Sequence, residues 1–168
     1  MSVNVTGNVF LNTTVDSVNA TNTIAIRATG NIVGLTGSLQ DLTSGNVGLA
    51  AGGALLNVRG DAPNIALQAG VGNISYSSPT SFSVANVDGI NGINASTGPV
   101  SLQATGNITL AAPVVGNNTV TIATGGNLDG SGVPGQLDVR ADTVSLSSGG
   151  AIGNNGRVNT QALTAATL

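Results

Sequence analysis

The chain has 168 residues, of which 7% are charged and 2% aromatic, with 25 glycines and a formal net charge of −3. Its four bases are all Arg and its seven acids all Asp, too sparse for the clustered cations of phosphate recognition, so nucleic acid is not an expected partner. The absence of His, Cys and Lys removes disulfides, thiolate metal sites, the usual general bases and the nucleophilic dyads.

Glu and Lys, which coat most helix surfaces, are replaced here by Thr, Ser, Asn, Gly and Val, which disfavours helices throughout. A hydrophobic content of 40% disfavours disorder. The expectation is an all-β chain. Its opening, "MSVNVTGNVF", has neither a basic n-region nor an apolar h-region and does not read as a signal peptide.

The first clear element is "IAIRATGNIVGLT" (24–36), in which Ile24 and Ile26 alternate before Gly30, Asn31 and Ile32. Alternation is the period of a half-buried strand, and Gly-Asn is a corner signal because both residues tolerate φ > 0. A looser copy starts at Val47 and runs to Gly53, Ala54 and Leu55. Within it "VGLAAGGALLNV" is too short and glycine-rich to span a bilayer, and "AGGA" lacks the helix and Lys of a phosphate loop. Arg59, Gly60 and Asp61 form the triplet that receptors recognise in exposed loops. However, "LNVRGD" parallels "LDVRAD" (137–142), so the triplet reads as a repeat corner.

A third copy carries Ile65 and Leu67, then one extra residue before Gly72, Asn73 and Ile74. A looser one starts at Phe82 and reaches Gly89 and Ile90. The cleanest follow: Val100, Leu102, Gly106, Asn107 and Ile108, then Val120, Ile122, Gly126, Asn127 and Leu128. "GGNLDGSG" (125–132) partly matches the calcium-binding β-roll nonapeptide, but it stands alone and reads as a corner. Asp138 and Asp142 are the candidate paired acids of a glycan-cleaving β-helix. The alternation Leu137-Asp138-Val139-Arg140 instead points Asp138 outward into solvent, which favours surface charge. The last copy holds Val144, Leu146, Gly150, Ala151 and Ile152.

Starts at 24, 47, 65, 82, 100, 120 and 144 define a period of about 20 residues. Strand, corner and strand at that period predict a parallel β-helix of seven or eight coils, right-handed by the crossover rule. The same chemistry predicts an aliphatic lumen without room for large rings. A β-sandwich is the competing architecture; it would carry core aromatics and two-residue hairpin turns.

The units "IAIRATGNI", "VSLQATGNITLAA", "LDVRADTVSLSSGGAIG" and "VNTQALTAATL" resemble the central repeats of filamentous-haemagglutinin-like exoproteins, the large adhesins of two-partner secretion. The resemblance lies in repeat grammar over essentially the whole chain. It implies a secreted, bacterial-surface location and a single β-solenoid segment, 1–168, of a much larger exoprotein. It also implies a structural role as shaft, without enzymatic activity or cofactor, holding a distal binding region away from the cell. The expected partners are then the neighbouring coils of the parent chain, with end-to-end self-association open and the parent's receptor unidentified. A self-assembling fibre or matrix subunit and a glycan-binding or glycan-cleaving β-helix are the alternatives.

Overall fold

The computed structural model describes residues 1–12, 15–16, 21–34 and 42–167. Leu35 and Thr36, which close the first quoted repeat, and Leu168 lie outside them. The described residues form no helix, and the strands of the solenoid pair in parallel. The chain is a β-solenoid of about six turns with about 23 residues per turn.

Each turn contributes one rung to a set of walls. The first wall stacks Ser2–Val5, Thr23–Ala28, Asn46–Ala51 and Asn64–Ala69. The second stacks Val9–Leu11, Ile32–Gly34, Leu55–Asp61, Ile74–Ser78, Val100–Ala104, Thr119–Thr124 and the latter half of Val139–Ser148. A short third wall pairs Val15–Asp16 with Leu42–Thr43, and Leu42–Thr43 with the end of Leu55–Asp61.

Alternation along each strand places every second side chain inside, and parallel register places equivalent residues over one another. The result is a set of aliphatic columns. Val9, Ile32, Leu55, Ile74, Val100, Val120 and Val144 form one of them, in six steps of 19 to 26 residues. Ile26, Leu49, Leu67, Ile93, Val114 and Val139 form another. Each fully buried Val, Leu or Ile contributes about 1.5–3 kcal/mol of transfer free energy, and each also bridges two rungs.

The register lengthens the expected repeat from about 20 residues to about 23. Ile24, Val47 and Ile65 stack in the first wall, whereas Val100, Val120 and Val144 stack in the second. Val100 lies over Ile74, the residue after the corner in the preceding copy, and not over Ile65. The repeated phrase is therefore a strand-corner-strand unit used at two different corners. Counting its occurrences as one series shortens the period.

The lumen also holds rings, against expectation. Tyr76 and Phe82 are both buried and meet edge-to-face, with centroids 5.4 Å apart at 90°. Space for Tyr76 comes from the rung below. A Cβ at Gly60 would lie 2.6 Å from the Tyr76 hydroxyl oxygen, and Asn57, with φ of 52°, makes a bulge that offsets Val58 against Tyr76.

The first wall divides after residue 82. Ser83 and Val84 pair with Asn64 and Ile65, whereas Ile93, Asn94 and Ala95 pair with Leu67, Gln68 and Ala69. Between them the chain makes an antiparallel hairpin, pairing Asn86 with Asn91 and Val87 with Ile90. From there the two halves continue as separate stacks, Phe82–Val84 under Ile108–Leu110 and Ile93–Ala95 under Val114–Gly116. The looser copy placed at Gly89 and Ile90 is thus an excursion from the repeat rather than one of its corners.

Candidate functional site

Chemistry that recurs from rung to rung is concentrated at the corners. At the second-wall corner, the Asn127 N–H donates to Asn107 Oδ1 at 2.8 Å and the Ala151 N–H to Asn127 Oδ1 at 2.9 Å. Ser81 begins this ladder, its Oγ accepting from the Asn107 N–H at 2.8 Å. At the first-wall corner, the Asn31 N–H donates to Asn8 Oδ1 and the Ala54 N–H to Asn31 Oδ1, each at 2.8 Å. Each asparagine therefore satisfies a backbone donor that the turn of the next rung leaves without a ladder partner.

At each of these corners a glycine makes room for the side chain of the rung below. A Cβ at Gly30 would lie 2.3 Å from Asn8 Oδ1, at Gly53 2.1 Å from Asn31 Oδ1, at Gly126 2.1 Å from Asn107 Oδ1 and at Gly150 2.2 Å from Asn127 Oδ1. At Gly106 it would lie 2.3 Å from Ser81 Oγ. These five glycines do not have left-handed φ; Gly7, before Asn8, and Gly72, before Asn73, do, at +108° and +98°. The expectation of a φ-driven corner is thus replaced by a steric one. Both ladders stop where the acceptor is missing, at Ala54 and at Ala151.

Hydroxyls line the same corner from inside. Thr124 Oγ1 donates to the Gly106 carbonyl, and Ser148 Oγ donates to that of Gly126 at 2.6 Å. Thr124 lies in register with Ala104 below and Ser148 above, and Thr121 with Ser101 and Ser145.

The Arg59-Gly60-Asp61 triplet lies in the strand Leu55–Asp61. Gly60 is buried under Tyr76, and Asp61 Oδ1 accepts from Thr80 Oγ1 at 2.5 Å. The triplet is extended and packed, and its glycine serves the adjacent tyrosine. Nor do "LNVRGD" and "LDVRAD" occupy equivalent corners. Val58 stacks with Tyr76 in the second wall, and Val139 continues one half of the divided first wall.

Asp138 is fully buried, which corrects the outward orientation read from its alternation. It precedes the strand Val139–Ser148 and ties two loops together. Oδ1 accepts from the Ser131 N–H at 3.2 Å and Oδ2 from the Asn159 N–H at 2.8 Å. Asp129 similarly accepts from the Asn155 N–H at 2.8 Å and from its side-chain amide at 3.1 Å. Both carboxylates of this region thus anchor backbone. Asp138→Ala is expected to leave two N–H groups unpaired and to lower stability by roughly 2 kcal/mol in urea titration, and Asp138→Asn by less.

Asp142 is exposed and faces a different groove, lined by Asn94, Ser96, Asn117, Arg140 and Leu163. Two further furrows run past Arg59 and Gln103 and past Asn4 and Arg27. None of the three brings two carboxylates together.

No known family, curated protein or solved structure matches the chain. Among the described residues, no three His, Cys, Asp or Glu side chains are grouped to hold a metal ion, and no helix is long and apolar enough to cross a membrane. The geometry thus resolves into repeated structural units, and two of its devices escaped the sequence reading. Asp88-Gly89 between Val87 and Ile90 is a two-residue hairpin signal. The pairing of Tyr76 with Gly60 has no local signal, because only the register brings them together.

Proposed function

We propose that this chain is a structural shaft segment of a secreted bacterial surface adhesin, without enzymatic activity of its own. The observation that carries the reading is the in-register column from Val9 to Val144, continuous through every turn it crosses. A rod of this kind derives its stiffness from backbone ladders and stacked aliphatics. Its stability is a sum of rung and neighbour terms, so no single residue is the active one. The resemblance of the repeat units to filamentous-haemagglutinin-like exoproteins supports the adhesin context.

The test combines rigidity with binding. Spin labels at Asn4→Cys and Arg140→Cys occupy one outward column six steps apart. Pulsed dipolar spectroscopy should give a narrow distribution near 29 Å, six spacings of about 4.8 Å. The isolated segment should show no saturable capture of matrix proteins or polysaccharides. A broad distance distribution would remove the mechanical argument, and saturable capture would move the binding function onto the rod itself.

A further inference from the structure

The hairpin that divides the first wall folds back over the rungs already laid down. Ala85 occupies the place of Ala66 in the strand below, its N–H donating to the Ile65 carbonyl at 2.9 Å. The chain then leaves the wall and returns at Gly92, whose N–H closes on the Ala85 carbonyl at 2.9 Å and whose carbonyl accepts from Leu67 at 3.0 Å. The wall thus resumes its register as though residues 86–92 were absent. At the tip, Asp88 and Gly89 have φ of 50° and 79°, the signs required of a two-residue type I′ turn.

The underside of the hairpin is apolar and matches a stripe of small residues. Val87 and Ile90 are buried at 4% and 5% exposure, packed with Ala66. A Cβ at Gly48 would meet Val87 Cγ1 at 3.2 Å and Ile90 Cδ1 at 3.4 Å. Ala25, Gly48 and Ala66 form the outward column here, and all three are buried although they point away from the lumen. Beyond them the tip reaches the rung of Thr23–Ala28. Arg27 Nη1 lies 2.7 Å from Asp88 Oδ2, and Arg27 Nη2 donates to the Asp88 carbonyl at 2.5 Å.

We propose that residues 86–92 are an axial strap that joins four successive rungs, Thr23–Ala28, Asn46–Ala51, Asn64–Ala69 and Phe82–Ala95, into one cooperative unit. The strap goes beyond the shaft reading and holds whatever the rod carries. In a simple solenoid each rung touches only its neighbours, so rungs open one at a time from weak points. Here Val87 and Ile90 reach a rung two steps away, and Asp88 a rung three steps away. Three steps span about 14 Å and the arm from Ala85 to Asp88 about 10 Å, so the long side chain of Arg27 closes the gap. The unit opens only when the strap lifts, which places the least divisible part of the rod in its amino-terminal half.

Deleting residues 86–92 leaves Ser83-Val84-Ala85-Ile93-Asn94-Ala95, the pattern of Asn64-Ile65-Ala66-Leu67-Gln68-Ala69 in the rung below, so the wall can close without the strap. Native-state hydrogen exchange reads the effect, with Thr119–Thr124 as an internal reference. Amides of Thr23–Ala28 and Asn46–Ala51 are expected to exchange at least about tenfold faster in the deletion, with the reference unchanged. Ile90→Ser, which keeps the hairpin and removes its apolar footing, should accelerate the same amides to a smaller degree. Arg27→Gln should act on Thr23–Ala28 alone. Acceleration confined to Val84–Ile93, or shared equally by the reference strand, would overturn the strap. If the deletion fails to fold, the two point variants carry the same decision.

Discussion

Leu102→Asp is expected to abolish cooperative unfolding of the central rungs. Leu102 is fully buried, stacked on Tyr76 below and under Ile122 above. The substitution forfeits about 1.5–3 kcal/mol of transfer free energy and places a carboxylate in a dry lumen between a tyrosine ring and an isoleucine, at a further cost of several kcal/mol. Against a total stability of about 5–15 kcal/mol for a domain, that loss is decisive. It also propagates, because the strands of Tyr76 and Ile122 lose a stacking surface together. The measurements are a circular-dichroism melt and limited proteolysis, which should show early cleavage near Val100–Ala104. Gln103→Asp, one residue along and exposed, should stay within about 0.5 kcal/mol of the parent. The contrast between adjacent positions isolates the inward column. An intact melt for Leu102→Asp would mean that the column is not what holds the rungs together.

The pattern behind that contrast is legible in the sequence alone. Alternation at Val100 to Gln103 gives the inward face, and the recurrence of Gly-Asn gives the corners. Parallel stacking follows from repetition in the same order. What the sequence withholds is which corner a copy belongs to. "IAIRATGNI" and "VSLQATGNI" are nearly the same words, yet one leads from the first wall into the second and the other leaves the second wall. Local composition cannot separate them, because both corners impose the same requirement: a glycine above the carboxamide of the preceding rung. The period reads a few residues short for that reason. Asp138 failed differently. Its alternation with Val139 presumes that Leu137 and Asp138 already belong to the strand, but the strand begins at Val139. The preceding loop turns the carboxylate inward toward the N–H groups of Ser131 and Asn159. The grooves offered even less to read, since their linings come from rungs some 20 residues apart.

Gly126→Ala carries the second large effect, and it tests the corner rule itself. The new Cβ would stand 2.1 Å from Asn107 Oδ1 and 3.0 Å from the Asn107 backbone nitrogen, so rotating the carboxamide relieves only part of the clash. Moving that carboxamide also releases the Asn127 N–H. Crowding of about 1–3 kcal/mol and an unsatisfied donor of about 1–3 kcal/mol together give an expected loss of roughly 2–5 kcal/mol. Asn107→Ala alone removes the acceptor without crowding and should cost roughly 1–2 kcal/mol. The decisive measurement is the double variant. With the carboxamide already gone, Gly126→Ala should cost markedly less, giving a favourable coupling of about 1 kcal/mol or more in urea titration. Asn107→Ser should recover part of the single loss, because Ser81 fills the same role one rung earlier. Strict additivity would show that glycine and asparagine are selected independently. Coupling would show that each rung's asparagine dictates the next rung's glycine, which is why a chain built on this rule repeats the same two letters at both of its corners.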